Sequence, residues 1–412
     1  MTIEADWLSA PALQRWLGVL NDGGEARVVG GAVRNALLGV AVKDVDVATT
    51  HRPDEVVRRA EAAGFRPVPT GIEHGTVTVV ADGTPYETTT LRADVETDGR
   101  HATVAFGTDW RVDAERRDFT INALYADADG NVIDLVGGLA DIESRTVRFI
   151  GDADRRIAED ALRILRFFRF HAHYGRSRPD ADGLRACARA KGMLDRLSPE
   201  RVWSELRRLT EAPDPRITLL WMRQTGVLSA VLPESEKWGI DGVAPLVDAE
   251  GALRWSPDPM LRMEAMVPPD AERMAALAER LRMSNTEAER LVAWARTSPV
   301  AADADEASLA RRLYREGARP ILDRLRLAVA SARSRAAGDT GALIEAARLA
   351  RLAEFAAEWE RPVFPLKGRD LLHAGMAPGP AVGERLAALE GEWVDGGFRG
   401  EREDWLGRIG NG

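Results

Sequence analysis

Asp44-Val45-Asp46 places two carboxylates two residues apart in a short apolar context. On a strand such residues share one face. Two carboxylates so placed can hold a pair of divalent ions about 4 Å apart, the arrangement of two-metal phosphoryl transfer. Hard oxygen ligands suit Mg²⁺, which keeps waters and takes substrate phosphates as further ligands. Fourteen residues upstream of Asp44 stands Gly30-Gly31, where a strand reading gives way to a helix reading. Glycines there let backbone N–H groups approach a phosphate at the helix N-terminus. Asp44 and Asp46 are thus the candidate catalytic metal ligands, with Gly30 and Gly31 as candidate phosphate contacts.

The elements that must carry these residues alternate strand and helix. Arg27-Val28-Val29 reads as a strand running into the glycine pair, Ala32 to Leu38 as a helix stopped by Gly39, and Val45-Asp46-Val47 as the next strand. Pro53 to Ala63 reads as a helix closed by Gly64. Thr76–Val80 and Tyr86–Leu91 read as two strands joined by Asp82-Gly83, a hairpin signal. The polar, glycine-punctuated stretch 93–109 reads as a mobile loop. Beyond about residue 141 strand signals give way to helices, with Pro/Gly breaks near 213–215, 257–259, 268–269 and 376–380.

Val29-Gly30-Gly31-Ala32-Val33-Arg34-Asn35-Ala36-Leu37-Leu38-Gly39 followed by Asp44-Val45-Asp46 resembles the head of the nucleotidyltransferase superfamily, in particular class II tRNA nucleotidyltransferases and bacterial poly(A) polymerases. Asn35 departs from the pattern, standing where that family usually has Asp. Arg116-Arg117-Asp118-Phe119-Thr120-Ile121-Asn122-Ala123-Leu124 matches the family's second block without departure. The resemblance places this block beside the sugar of the nucleotide, which makes Arg117, Asp118 and Asn122 binding candidates, and it gives Arg34 a share of the sugar and phosphates. Asp134-Leu135-Val136-Gly137-Gly138 resembles a structural connector. In Tyr86-Glu87-Thr88-Thr89-Thr90, Glu87 resembles an acidic strand residue facing the active site, a third catalytic candidate that could position or deprotonate the attacking hydroxyl.

Glu159-Asp160-Ala161-Leu162-Arg163-Ile164-Leu165-Arg166-Phe167-Phe168-Arg169 resembles the family helix that selects the incoming nucleotide. Read as one helix, it makes Asp160 and Arg163 neighbours on a face. A carboxylate acceptor beside a guanidinium donor complements the Watson–Crick edges of cytosine and adenine and refuses those of uracil and guanine. Arg166 and Arg169, at further three-residue steps, match the family's triphosphate contacts. Leu197-Ser198-Pro199-Glu200-Arg201 resembles the last neck motif and reads as an N-cap and first turn with a stabilising role. The loop around Asp98-Gly99-Arg100-His101 resembles that of CCA-adding enzymes, and Gly71-Ile72-Glu73-His74-Gly75 also resembles tRNA nucleotidyltransferases more than poly(A) polymerases.

The resemblance implies an α+β fold. A nucleotidyltransferase (polymerase beta-like) head with a small mixed sheet spans 1–140, a nucleotide-selecting helical neck 141–220, and a helical body or tail 221–412 that would bind tRNA. It implies addition of C, C and A from CTP and ATP to tRNA lacking a complete 3′ CCA, with release of pyrophosphate. Poly(A), CC-only or A-only addition is the near alternative. A non-catalytic RNA-binding protein on the same fold is the distant one.

Composition bounds these readings. The chain has 412 residues, 45% hydrophobic and 29% charged, too long for one ordinary domain and unlike a disordered chain. No apolar run is long enough to span a membrane, Met1–Ala10 does not read as a signal peptide, and the single cysteine, Cys187, fits a reducing cytoplasm. The net charge of −9 is unhelpful for an RNA partner until it is divided. Residues 1–150 hold 15 basic and 24 acidic residues, whereas 151–220 hold 15 basic and 11 acidic. Arg311, Arg312, Arg315, Arg319, Arg324 and Arg326 read as a solvated helix face or a tRNA-backbone surface.

Overall fold

A computed structural model describes residues 1–97, 102–176, 178–236 and 238–409. Cα packing divides the chain into two units, Met1–Pro233 and Glu234–Gly412.

The first unit is built on a seven-stranded mixed sheet in the order β3-β4-β5-β2-β1-β8-β9. Its strands are β1 (Ala26–Val29), β2 (Asp46–Thr49), β3 (Arg66–Gly71), β4 (Thr76–Ala81), β5 (Thr84–Thr90), β8 (Leu124–Ala126) and β9 (Val132–Asp134). β6 (Arg92–Thr97) and β7 (Ala102–Phe106) form a separate antiparallel pair. That pairing corrects the reading of 93–109 as a loop. Arg92 lies opposite Phe106 and Thr97 opposite Ala102, with a register irregularity between Asp94 and Glu96. The polar composition concealed a two-stranded antiparallel ribbon. Residues 98–101, at the heart of the loop expected to resemble that of CCA-adding enzymes, lie outside the described residues.

The strand order follows from burial and turns. β1 and β2 are central, and Val28 and Val47, paired across them, are fully buried. The Asp82-Gly83 turn has positive φ at both residues, the conformation a tight hairpin between β4 and β5 requires. Helix α1 (Pro11–Asn21) covers the sheet with Leu13, Trp16, Leu17 and Leu20, and the Trp16 indole N–H donates to Thr88 Oγ1 at 3.0 Å. α2 (Gly31–Leu38) ends at Gly39 in the left-handed conformation, and α3 (Pro53–Ala62) is followed by Gly64 at positive φ.

Short helices α4 (Trp110–Glu115), α5 (Gly138–Glu143) and α6 (Ala153–Glu159) lead to α7 (Leu162–Tyr174), α8 (Ala181–Ala190), α9 (Pro199–Thr210), α10 (Arg216–Thr225) and α11 (Val227–Val231). The Asp134 carboxylate accepts from the backbone N–H groups of Val136, Gly137, Gly138 and Leu139, which gives the connector its structural role. An aromatic cluster ties α7 to the block around Phe119: Phe119–Phe170 centroids are 5.1 Å apart and Phe149–Phe167 5.4 Å. α10 and α11 belong to this first unit. The division falls near Pro233; within the first unit His171 Nδ1 of α7 meets Thr218 Oγ1 of α10 at 2.8 Å, and Leu219, Met222 and Val227 are buried.

The second unit is helical: α12 (Val243–Leu253), α13 (Pro259–Glu264), α14 (Ala271–Arg280), α15 (Asn285–Arg296), α16 (Glu306–Glu316), α17 (Ala318–Arg335), α18 (Thr340–Glu358), α19 (Gly368–His373), α20 (Pro380–Asp395) and α21 (Arg402–Leu406). α16, α17 and α18 share a core that includes Leu313, Ile321, Leu325 and Leu349. A second core joins Tyr314, Phe364, Trp393 and Trp405. Among the described residues no helix is long and apolar enough to cross a membrane.

Candidate active site

The register of the central strands assembles the site at one end of the sheet. Val29, the last residue of β1, lies opposite Asp46, the first residue of β2. β2 runs parallel to β5 with Asp46 beside Glu87. The chain leaving β1 turns at Gly30, with φ +69 and ψ −116, where a Cβ would be strained and would approach the Asn122 carbonyl oxygen at 3.4 Å. The glycine turn and Asp46 therefore share one sheet end, as their sequence spacing suggested.

A detail of the carboxylate pair differs from the expectation. β2 begins at Asp46, so Asp44 precedes the strand and is exposed. The alternation Val45-Asp46-Val47 implied a longer strand, but β1, its neighbour, ends at Val29 and offers no ladder partner beyond Asp46. Asp44 and Asp46 nonetheless remain within electrostatic reach. Burial raises the Asp46 carboxyl to about 6, Glu87 adds to the rise, Arg117 opposes it, and Asp44 raises it further. Glu87 itself is exposed.

Among the described residues no three His, Cys, Asp or Glu side chains are gathered to hold a metal ion by themselves. The donor set is nevertheless that of a hard cation: carboxylate oxygens whose mutual repulsion a divalent ion relieves, with open positions for phosphate oxygens.

Beside Asp46 opens a cavity of about 500 Å³ lined by seven arginines (34, 92, 116, 117, 163, 166 and 201) and only three carboxylates, Asp46, Asp118 and Asp160, together with Gly30, Gly31, Asn122, Leu162 and Phe170. Although part of its wall comes from the acidic first 150 residues, the pocket is cationic and suited to a polyphosphate. Its arginines are held by a buried framework. Asp113, 1% exposed, binds both Arg116 Nη2 at 2.6 Å and Arg117 Nη2 at 3.0 Å and accepts from the Tyr125 hydroxyl. Burial pushes the Asp113 carboxyl up, but Arg117 and Arg116 outweigh it and hold it below the ordinary value. Asp118 accepts from Arg166 Nε at 2.8 Å, from Asn122 Nδ2 at 3.0 Å and from the Phe119 N–H. It too is held low: burial opposes, and Arg166 outweighs it.

Arg34, 7% exposed, is held by neutral groups: Asn122 Oδ1 at 2.5 Å, Tyr174 Oη at 2.8 Å and Asn35 Oδ1 at 2.9 Å. Its guanidinium lies 4.0 Å from the Tyr174 ring centre. Asn35 also donates through Nδ2 to the Ala41 carbonyl at 3.1 Å. The amide therefore braces the turn after α2 and orients Arg34 without neutralising it.

The stretch expected to form one nucleotide-selecting helix is not continuous. α6 ends at Glu159, Asp160 is extended with φ −153 and ψ 110, and α7 starts at Leu162. Asp160 Oδ1 accepts from the Leu162 N–H at 3.0 Å, so the side chain caps the new helix, and this local bond breaks what strong helix formers on both sides suggested was one helix. Asp160 and Arg163 are consequently not partners on one helix face, although both line the cavity. Arg163 Nη1 pairs with Glu159 Oε2 at 2.5 Å and donates to the Arg156 carbonyl. Asp160 Oδ2 pairs with Arg201 Nη2 of α9 at 2.7 Å.

Arg169 departs most from expectation. It does not line the cavity; its Nε pairs with Glu205 Oε2 of α9 at 2.5 Å, which joins two neck helices. Three-residue spacing aligned it with Arg166, but the nearest buried carboxylate lay the other way. Arg201 is the converse case, a cavity residue read from sequence as part of a structural turn. Ser198 does occupy the N-cap position of α9 but makes no side-chain capping bond. The body arginines are largely engaged within their own unit. Arg312 pairs with Glu316, Arg315 with Asp395, and Arg319 with Asp258 and Asp323; Arg324 donates to carbonyls at the end of α15, and Arg326 stacks on Trp255.

Residues 26–148 match the Poly A polymerase head domain, and residues 179–238 match the probable RNA and SrmB-binding site of polymerase A. The chain is 34% identical over 400 residues to the mouse (Mus musculus) protein named CCA tRNA nucleotidyltransferase 1, mitochondrial, covering 93% of this chain and 86% of that one. It is 32% identical over 404 residues to the CCA-adding enzyme of Levilactobacillus brevis, covering 96% and 95%. The crystal structure of the Bacillus stearothermophilus CCA-adding enzyme in complex with CTP superposes with a TM-score of 0.67 at 28% identity, covering 97% of this chain and 98% of that one. With a cationic nucleotide-sized pocket beside an acidic sheet end, and full-length relatives that share one activity, the chain belongs to the CCA tRNA nucleotidyltransferase family, a family of metal-dependent nucleotidyltransferases.

Proposed function

We propose that this protein adds C, C and A to tRNA lacking a complete 3′ CCA, using CTP and ATP and no nucleic-acid template. The observation that carries this reading is the cavity itself, in which a cationic wall for the triphosphate, the Asp46 sheet end and the Asp160/Arg163 pair border one space. Asp44 and Asp46 would hold Mg²⁺, which when bound activates the α-phosphate as a Lewis acid. Arg34, Arg117 and Arg166, with the N–H groups around Gly30 and Gly31, bind sugar and phosphates. Asp118 and Asn122 set the arginines. Asp160 accepts the amino group of cytosine or adenine, and Arg163 donates to the ring acceptor. The tRNA 3′-hydroxyl attacks the α-phosphate, and pyrophosphate leaves. Glu87, beside Asp46, is suited to orient that hydroxyl. Arg169 acts at one remove, by fixing α7 to α9. We assign a tRNA-holding role to the helical second unit, and infer a cytoplasmic setting from the single buried Cys187.

The test incubates the protein with tRNA ending before CCA and CTP alone, ATP alone, or both, and sizes the product. The expected result is two additions with CTP and three with both. Arrest after CC with both nucleotides present, or a long A tail, would replace this reading with CC-only addition or poly(A) polymerisation.

A further inference from the structure

Asp160 is the acceptor half of the proposed base-reading pair, yet it stands where regular structure is lost. It is the extended residue between α6 and α7, on a joint whose backbone does not orient it as a helix would. Two bonds hold its carboxylate. Oδ1 accepts from the Leu162 N–H at the start of α7, and Oδ2 accepts from Arg201 Nη2 at 2.7 Å. The second comes from a different helix, 41 residues away in sequence. Arg201 itself lines the cavity. α9, which carries it, is fastened to α7 by the Arg169–Glu205 pair and buries Val202, Trp203 and Leu206.

We propose that Arg201 is a specificity-positioning residue: from α9 it fixes the orientation of the Asp160 carboxylate, so that the remaining acceptor lone pairs face the amino group of the incoming base. This rests on the reading of Asp160 as the base acceptor. The chemistry is that of a charge-assisted hydrogen bond. A carboxylate oxygen accepts two bonds, so Arg201 can occupy one lone pair of Oδ2 and leave another for cytosine N4–H or adenine N6–H. A carboxylate offers only acceptors to the base edge, which match the amino groups of cytosine and adenine and not the O4 of uracil or the O6 of guanine. Arg201 thus acts through Asp160 and does not itself contact the reacting atoms.

The experiment measures kcat and KM for CTP and UTP on tRNA lacking CCA, and for ATP and GTP on tRNA ending in CC, with wild-type protein and with Arg201→Ala, Arg201→Lys and Asp160→Ala. Arg201→Ala should lower the CTP-to-UTP preference in kcat/KM by at least about tenfold, the scale of one lost charge-assisted contact. Arg201→Lys, which restores a cation but not the planar fork, should recover part of that preference. A purely structural arginine would lower addition of all nucleotides alike, with the preference kept. Preference within about twofold of wild type in Arg201→Ala, while Asp160→Ala loses it, overturns the role of Arg201 and leaves the base-reading assignment standing. Preference retained in Asp160→Ala as well overturns the assignment itself. If Arg201→Ala fails to fold, Arg201→Lys and Arg201→Gln decide the matter by the same ratio: equal preference in both contradicts the proposal.

Discussion

At the scale of single residues, the site depends on which charges are compensated. Asp113 pairs with both Arg116 and Arg117 and Asp118 with Arg166, while Arg34 is held by amide and phenol oxygens. A buried guanidinium with neutral partners keeps most of its field for an incoming anion. Asn35→Asp should therefore weaken nucleotide binding, raising KM for CTP and ATP several-fold while kcat changes less, because the new carboxylate would take part of the Arg34 fork. Steady-state kinetics check this: an unchanged KM would show that Asn35 is a neutral replacement, and a lower KM that it costs binding. The carboxylate end makes a harsher demand. Asp44→Ala and Asp46→Asn should each cut addition by about a thousandfold or more with the circular dichroism of the fold preserved; full activity in Asp44→Ala would remove it from metal binding. These residues were legible because their chemistry sits in contiguous blocks. Arg201 was not. Its meaning lies in a partner on another helix, and no local spacing encodes a contact 41 residues away.

At the scale of elements, turn chemistry carried the sequence reading and tertiary pairing limited it. Gly30, Gly39, Gly64 and Asp82-Gly83 mark real changes of direction, each at positive φ, because those conformations disfavour most side chains. The β6–β7 ribbon and the break at Asp160 were hidden for the opposite reason. Polar composition masks a strand pair held by backbone bonds, and a run of good helix formers masks a cap. A loss of the ribbon should separate the steps of the reaction. Replacing residues 93–105 by a short Gly/Ser linker is expected to leave C addition measurable and to impair A addition on tRNA ending in CC, read by gel; equal loss of both would contradict a role in the switch of nucleotide. In the second unit, α13, α15 and α17 meet at a buried ionic cluster. Arg290 binds Asp258 at 2.8 Å and Asp323 at 2.9 Å, and Arg319 binds both carboxylates. Among the described residues Glu264, 1% exposed, makes no hydrogen bond through either carboxylate oxygen, and Arg290 Nε lies 3.8 Å from Oε1. Burial, then the Asp323 charge, raises its carboxyl well above the ordinary value, with Arg290 opposing and Asp258 adding to the rise. A carboxyl raised on folding takes up a proton on folding, so its contribution is present at low pH and is lost as pH rises from the ordinary carboxylate range through the raised value. Glu264→Met, of similar volume and apolar, should remove that slope. Its melting temperature relative to wild type should be more favourable at pH 8 than at pH 5, and the reverse order in thermal melts would show that Glu264 works as an anion there.

At the scale of the whole molecule, net charge was a poor guide and its distribution a good one. A total of −9 coexists with a cavity in which arginines outnumber carboxylates seven to three. The acidic excess of residues 1–150 is partly spent on holding those arginines in place, through Asp113 and Asp118. Many body arginines read from sequence as a possible RNA surface instead satisfy carboxylates of their own unit, so arginine count along the chain overstated the free positive charge. Binding of tRNA should still be electrostatic, since its backbone must approach this pocket. The apparent KM for tRNA is expected to rise by at least about tenfold between about 50 and 200 mM salt; a salt-independent KM would place recognition on apolar or purely shape-based contacts. The proposed choice of nucleotide by the protein's own side chains, Asp160 and Arg163 foremost, can be measured directly. tRNA lacking CCA is presented with all four nucleoside triphosphates together, and the 3′ ends made by wild type and by the Asp160→Ala/Arg163→Ala double variant are sequenced. Uniform CCA is expected from wild type and mixed ends, with U and G incorporated, from the variant; uniform CCA from both would contradict selection by this pair.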